Sequence, residues 1–286
     1  MTTVEALCSN NPIIVDVAEP AYRAAAMMKL HRIHHLPVVS DGCVVGMLSA
    51  RDLIGVVPET SNRKSKPARP TKSFDTFQDL HVGDLCSPTV VSAPSNTGIH
   101  RAAWLMVRHK IRSLPLIRDD RIAGILTDTD LIRACLTAGQ HFQGIDLVEW
   151  RHRPVTDHMN SSPCTIEPTA SVLHAWMLMR EQDVQHLAVV RHDEFVVGIV
   201  SDDDLFYALR EPPTRAAVTE AQSRLPAMSL SEVMTRQVVT VGKYHKLYEA
   251  ADKMLSNNIA ALLVMDYCLE GIITRTDLLK AIVMMG

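Results

Sequence analysis

Gly46-Met47-Leu48-Ser49-Ala50-Arg51-Asp52-Leu53 is the stretch from which the fold can be read. It is an apolar run that opens on glycine and passes into Ser-x-x-Asp. The pattern returns three times, as Gly124-Ile125-Leu126-Thr127-Asp128-Thr129-Asp130-Leu131, Gly198-Ile199-Val200-Ser201-Asp202-Asp203-Asp204-Leu205 and Gly271-Ile272-Ile273-Thr274-Arg275-Thr276-Asp277-Leu278. Each copy follows another apolar run: Leu36-Pro37-Val38-Val39, Leu114-Pro115-Leu116-Ile117, Leu187-Ala188-Val189-Val190 and Leu262-Leu263-Val264. The last Asp falls at 52, 130, 204 and 277, at intervals of 78, 74 and 73 residues. Such regularity marks an internal repeat.

Working outward, residues 24–30, 102–107, 175–179 and 250–255 carry apolar positions at helical spacing. Short strand candidates precede two of them, Pro88-Thr89-Val90-Val91 and Pro163-Cys164-Thr165-Ile166. The paired apolar runs, split by turns such as Ser40-Asp41-Gly42 and Arg118-Asp119-Asp120, predict adjacent strands. Each unit therefore reads strand, helix, strand, strand, helix, an α+β fold. A unit of about 55 residues has a marginal core, so the units are expected to pair sheet to sheet, 1 with 2 and 3 with 4. The expected division is repeat 1 at 1–60, a basic linker at 61–79, repeat 2 at 80–138, a linker at 139–152, repeat 3 at 153–210, a linker at 211–227 and repeat 4 at 228–286.

Composition narrows the classes. The chain of 286 residues is 47% apolar and 21% charged, with a mean hydropathy of +0.05, which excludes disorder. A formal net charge of -3 gives no global field for nucleic acid or an anionic membrane. The longest apolar stretches fall far short of the roughly 20 residues that span a bilayer, and no signal peptide is evident. Cys8, Cys43, Cys86, Cys135, Cys164 and Cys268 show no C-x-x-C spacing and read as reduced thiols of a cytoplasmic protein.

The four G-h-h-[ST]-x-x-D signatures resemble those of the CBS domain, named for cystathionine β-synthase, over residues 4–282. Two CBS repeats make a Bateman module, so the chain resembles two modules in tandem, arranged like the gamma subunit of AMP-activated protein kinase. His31-Arg32-Ile33-His34-His35-Leu36-Pro37-Val38 is similar to that family's segment before its second strand.

The signature has two readings. As a capping box, Ser or Thr stands at the N-cap and Asp at N3, with no ligand required. As a site, the strand delivers the chain to a helix N-terminus whose free N–H groups favour an anion. There Asp accepts from vicinal ribose hydroxyls, Ser or Thr donates toward phosphate, and the glycine lets a ligand approach the backbone. The resemblance implies the same roles and an adenosine-containing ligand: AMP, ADP, ATP or S-adenosylmethionine, with magnesium an option and no cofactor required. Copy four ranks first through Thr274, Arg275 and Asp277, because Arg275 suits phosphate. Copy one follows with Ser49, Arg51 and Asp52, beside His34 and His35, whose charge would depend on pH. Copy two has Thr127, Asp130 and Arg112, with Asp128 adding a negative charge. Copy three has Ser201 and Asp204, and its run of three carboxylates ranks it last.

Other features read more plainly. His31 and His35 stand at a chelating i, i+4 spacing if that segment is helical, but no third ligand is evident, so no metal site is assigned. Cys8 and Cys86 share a repeat position with Met159 and Met234, which marks a buried apolar site. Residues 63–72 carry five basic residues and no acid, and read as a solvated loop. No P-loop, H-E-x-x-H, G-x-S-x-G or G-x-G-x-x-G occurs, so an enzyme is not expected. The leading expectation is a stand-alone sensor that signals to a partner protein not identified by sequence. A ligand-independent scaffold, or a nucleic-acid-associated regulator using Lys64, Lys66 and Arg69, are the alternatives. Both a monomeric disc and a homodimer stay open.

Overall fold

The computed structural model describes residues 3–54, 80–138, 141–142, 145–192, 195–208 and 227–285. The basic linker, most of the 211–227 linker and their expected roles lie outside these residues.

Each repeat builds a three-stranded sheet. In repeat 1, Val15–Asp16 runs parallel to His35–Ser40, which pairs antiparallel with Cys43–Ser49. Helix α1 (Ala21–His31) makes the crossover, and α2 (Ala50–Ile54) follows the hairpin. Repeat 2 starts with α3 (Val82–Leu85). It repeats the sheet with Ala93–Pro94, Ser113–Arg118 and Arg121–Thr127, flanked by α4 (Ile99–His109) and α5 (Asp128–Thr137). The linker supplies α6 (Leu147–His152). Repeat 3 uses Thr165–Ile166, His186–Arg191 and Phe195–Ser201 with α7 (Val172–Glu181) and α8 (Asp202–Tyr207). Repeat 4 uses Thr240–Val241, Ala261–Met265 and Leu269–Thr274 with α9 (Leu247–Ser256) and α10 (Arg275–Met284).

The copies agree in detail. All four hairpins shift register at the same place: Val38/Val39, Leu116/Ile117, Val189/Val190 and Val264/Met265. The predicted turns at Asp41-Gly42 and Asp119-Asp120 take positive φ at both positions, the mirror-image turn that suits strand twist. At or just past the end of each crossover helix a non-glycine residue turns left-handed: Arg32, Lys110, Asp183 and Asn258. One strand candidate moved. Repeat 2 begins its sheet at Ala93–Pro94, not at Pro88-Thr89-Val90-Val91. The chain before position 88 is taken up by repeat 1, where the Ser87 carbonyl accepts from the Met47 N–H at 3.2 Å.

The sheets pair as expected. Ser9–Asn10 extends the repeat 2 sheet by pairing with Gly124 and Ile125, and the 3–4 pair is joined by bridges at Asn160–Ile272 and Ile199–Thr235. Ala188, Val190, Ala261, Leu263 and Ile272 form an apolar cluster between sheets 3 and 4. The two main cores follow the other pairing. Helices α2 and α8 pack together, and α10 packs on α4 and α5, so one core joins repeats 1 and 3 and the other repeats 2 and 4. Trp150 of α6 is fully buried in the second core, with Nε1 donating to the Leu278 carbonyl at 3.3 Å. The 139–152 linker thus contains a packed helix.

The opening segment of every repeat crosses to its sheet partner. Val4 lies in the core of repeats 2 and 4, while Leu80 and Val82 lie in that of repeats 1 and 3. Val155 and Leu230 exchange in the same way between repeats 3 and 4. The signature glycines make room for this. A Cβ on Gly46, Gly124, Gly198 or Gly271 would meet the sulfur of Cys86, Cys8, Met234 or Met159 within 3.0 Å. The glycine expected to admit a ligand instead admits the paired repeat's sulfur-bearing side chain.

Candidate functional site

Each signature folds as a capping box. Thr127, Ser201 and Thr274 cap α5, α8 and α10, accepting from the N–H of Asp130, Asp204 and Asp277. Ser49 and Asp52 share the geometry: the Asp52 N–H donates to Ser49 Oγ at 3.3 Å, and Asp52 Oδ2 accepts from Ser49 Oγ at 2.6 Å. The second carboxylate oxygen separates the copies. Asp130 Oδ1 faces Arg133 at 3.6 Å, and Asp277 Oδ1 accepts from Lys280 at 2.8 Å. Asp52 and Asp204 are followed three residues later by Gly55 and Tyr207, which supply no such cation.

One hydrogen bond per repeat draws the residue before the central strand to the start of the last helix. The carbonyls of His34, Arg112, Gln185 and Ala260 accept from the N–H groups of Ala50, Asp128, Asp202 and Arg275 at 2.9, 3.0, 3.0 and 3.0 Å. Charges from three other repeats consequently converge on His34. Burial lowers its pKa, Asp203 and Asp128 oppose that, and Arg112 and Arg275 reinforce it. His34 Nδ1 stands 3.5 Å from Asp203 Oδ2, and its Nε2 is buried without a partner. Burial pushes His35 down to about 3, so it is neutral in the neutral pH range and the expected pH-dependent charge is absent there. His31 ends α1 while His35 opens a strand, which removes the premise of a shared helical face. Among the described residues, no three His, Cys, Asp or Glu side chains form a metal-holding group.

A cavity of about 200 Å³ lies between repeats 1 and 2, with repeat 3 as a third wall. Repeat 1 contributes His34, His35, Ser49, Arg51 and Asp52 among its lining. Repeat 2 contributes Thr89, Val91, Lys110, Ile111 and Arg112, and repeat 3 Gln185, Asp202 and Asp203. Val91 and Ile111 offer apolar surface, Asp52 an acceptor, and Arg51, Lys110 and Arg112 donors. Each cation already has an aspartate: Arg51 Nε is 3.5 Å from Asp202 Oδ2, Arg112 Nε is 3.3 Å from Asp128 Oδ2, and Lys110 bonds Asp183. Asp202 is deeply buried, and burial followed by the Asp203 charge raises its pKa to about 6 despite Arg112 and Arg51.

The cavity thus gathers Ser49, Arg51, Asp52, His34, His35 and Arg112 from the sequence candidates. Thr127, Asp130, Ser201, Asp204, Thr274, Arg275 and Asp277 do not line it. Arg275, expected to serve phosphate, joins repeat 4 to repeat 2: its Nη1 donates to Thr129 Oγ1 at 2.7 Å and stands 3.6 Å from Asp128 Oδ1. Lys110, Ile111 and Gln185 were missed, although they share the repeat register of Arg32, Ile33 and His34. Asp202 and Asp203 were read only as belonging to copy three, because nothing local shows that repeat 3 closes the cavity of repeats 1 and 2.

Comparison with known proteins agrees with this architecture. The chain is 24% identical over 281 residues to the uncharacterized protein MJ1225 of Methanocaldococcus jannaschii, covering 96% of each. The crystal structure of MJ1225 superposes with a TM-score of 0.80 at 23% identity, covering 98% of this chain and 99% of that one. An uncharacterized conserved protein from Pyrococcus horikoshii superposes with a TM-score of 0.63 at 21% identity, over 99% of this chain and 100% of that one. A stretch of 125 residues is 29% identical to inosine-5'-monophosphate dehydrogenase of Staphylococcus aureus, covering 43% of this chain and 22% of that enzyme. The CBS domain model matches residues 4–59, 82–137, 155–211 and 230–284. With four matched repeats that take up most of its length, the chain belongs to the CBS domain family.

Proposed function

We propose that this protein is a regulatory sensor that binds an adenosine-containing ligand, from the set AMP, ADP, ATP and S-adenosylmethionine, in the cavity of repeats 1 and 2. The observation that carries the reading is the placement of Asp52 at that cavity. Its Oδ2 is used by the cap, and no i+3 cation occupies its other oxygen, so a ribose diol can be accepted there. Val91 and Ile111 give the base an apolar seat. Three repeats share the cavity, so occupancy changes how the two modules meet and hence the surface offered to a partner protein. A ligand does this only by binding two arrangements with different affinity. The reading assigns no catalytic role and places the protein in the cytoplasm, in keeping with six cysteines that show no C-x-x-C spacing.

The test is a thermal-shift and calorimetric panel with AMP, ADP, ATP, S-adenosylmethionine and NAD, each with and without magnesium. A ligand specific to the folded state raises the melting temperature by mass action. Asp52→Ala is expected to weaken the adenosyl ligand at least about tenfold, while Asp277→Ala leaves its affinity unchanged. Absence of any shift, with mass spectrometry showing no co-purified ligand, overturns the sensor reading in favour of the scaffold.

A further inference from the structure

The cavity's cations are matched before any ligand arrives. Arg51, Arg112 and Lys110 are each engaged by the carboxylate of Asp202, Asp128 or Asp183. Asp203, on the same wall as Asp202, is different: among the described residues its ion-pair contact is His34 alone, at 3.5 Å. Burial, reinforced by Arg112 and Arg275, lowers the pKa of that imidazole and favours its neutral form, so at 3.5 Å it is a weak partner for the carboxylate, and the two arginines act on Asp203 only from beyond ion-pair distance. The lining holds three cations, Arg51, Lys110 and Arg112, against Asp52, Asp202 and Asp203, while Asp128 and Asp183 draw on Arg112 and Lys110 from outside it. A phosphate chain entering here would have to take Arg51 from Asp202, breaking a link between repeats 1 and 3, and would stand beside Asp203. A positively charged substituent leaves all three pairs intact and gives Asp203 a permanent cation at contact distance.

Resting on the adenosyl reading above, we infer that this cavity selects a ligand whose 5′ substituent carries a positive charge, a sulfonium or ammonium group set against Asp203, over nucleoside phosphates. The same wall makes the ligand a bridge between modules, since Asp203 belongs to repeat 3 and Asp52 to repeat 1.

Calorimetric titration of the full chain tests this with S-adenosylmethionine, S-adenosylhomocysteine, 5′-methylthioadenosine, and AMP and ADP with and without magnesium. The first two differ by one methyl group and the sulfonium charge. S-adenosylmethionine is expected to bind at least about tenfold tighter than S-adenosylhomocysteine, with AMP and ADP weaker than either. Asp203→Asn is expected to bring the first two within about threefold of each other and to leave S-adenosylhomocysteine unchanged. Equal affinity for those two in the native chain, or tighter AMP or ADP under either metal condition, overturns the charge selection and leaves the adenosyl reading standing. A preference that survives Asp203→Asn overturns the assignment to Asp203. Failure of every adenosyl compound to bind removes both the inference and the reading beneath it.

Discussion

A Cβ on Gly46 would stand 2.7 Å from the Sγ of Cys86, and 3.1 Å from the Ser87 carbonyl oxygen. The hairpin of repeat 1 and the opening of repeat 2 touch through a missing side chain. Gly46→Ala is therefore expected to destabilise the fold by about 1–3 kcal/mol through overpacking. Adding Cys86→Ala recovers only part, because the backbone oxygen of Ser87 stays where it is. Urea denaturation of the single and double variants checks this; an unchanged midpoint for Gly46→Ala contradicts it.

Much of this fold is written locally. The two apolar runs, the turn at Asp41-Gly42 and the Ser49-x-x-Asp52 cap are short-range patterns, and four copies of them were enough to fix the unit. The cross-chain contacts are not written that way. Gly46 looks the same whether it faces a ligand or a sulfur atom, and Arg275 looks the same whether it faces phosphate or Asp128. Deciding either requires knowing which repeat lies opposite, and the contact of repeats 1 and 3 depends on helix faces far apart in the chain. Part of the cavity was legible for this reason: Ser49, Arg51 and Asp52 of the motif with His34, His35 and Arg112, but not Lys110 and Ile111 of repeat 2 nor the wall that repeat 3 supplies.

Arg275 and Asp128 tie repeat 4 to repeat 2, with the arginine side chain 9% exposed. Asp128 also holds Arg112 at 3.3 Å, so Arg275→Ala does not strand its carboxylate. The expected cost is about 1–3 kcal/mol, below that of breaking an isolated buried pair. A double-mutant cycle of Arg275→Ala with Asp128→Asn should give a coupling of at least about 0.5 kcal/mol. Additive effects would show that the contact carries no stability.

Acid should destabilise the protein, and the buried histidines set the sign. His35 and His186 are held at about 3 by burial, with nearby arginines adding to it. In the unfolded chain they take up protons near pH 6.5, so their contribution is complete above that value and is lost as pH falls toward 3. Asp202, raised to about 6 by burial, acts in the opposite direction between pH 6 and its unfolded value near 4. Two histidines against one carboxylate leave a net loss of about one proton's worth, roughly 1.4 kcal/mol per pH unit, between pH 6 and 4.5. His34 and His158, both lowered first by burial, add in the same direction, and Asp204, raised first by burial, offsets part of that. Urea midpoints from pH 7 to 4.5 measure the slope, and His186→Gln should reduce it by about one proton. Stability that rises on acidification would refute the assignment.

The crossed openings make each main core a joint product of both modules. Val4 belongs to a core that also contains Leu278 and Ile282, near the other end of the chain. That core is complete only where residues of repeat 4 lie beside those of repeat 2. The repeat is thus a unit of sequence and the module a unit of strand pairing, while each of the two main cores draws on both modules. A change of side-chain volume at a core position of one repeat therefore presses on a repeat of the other module.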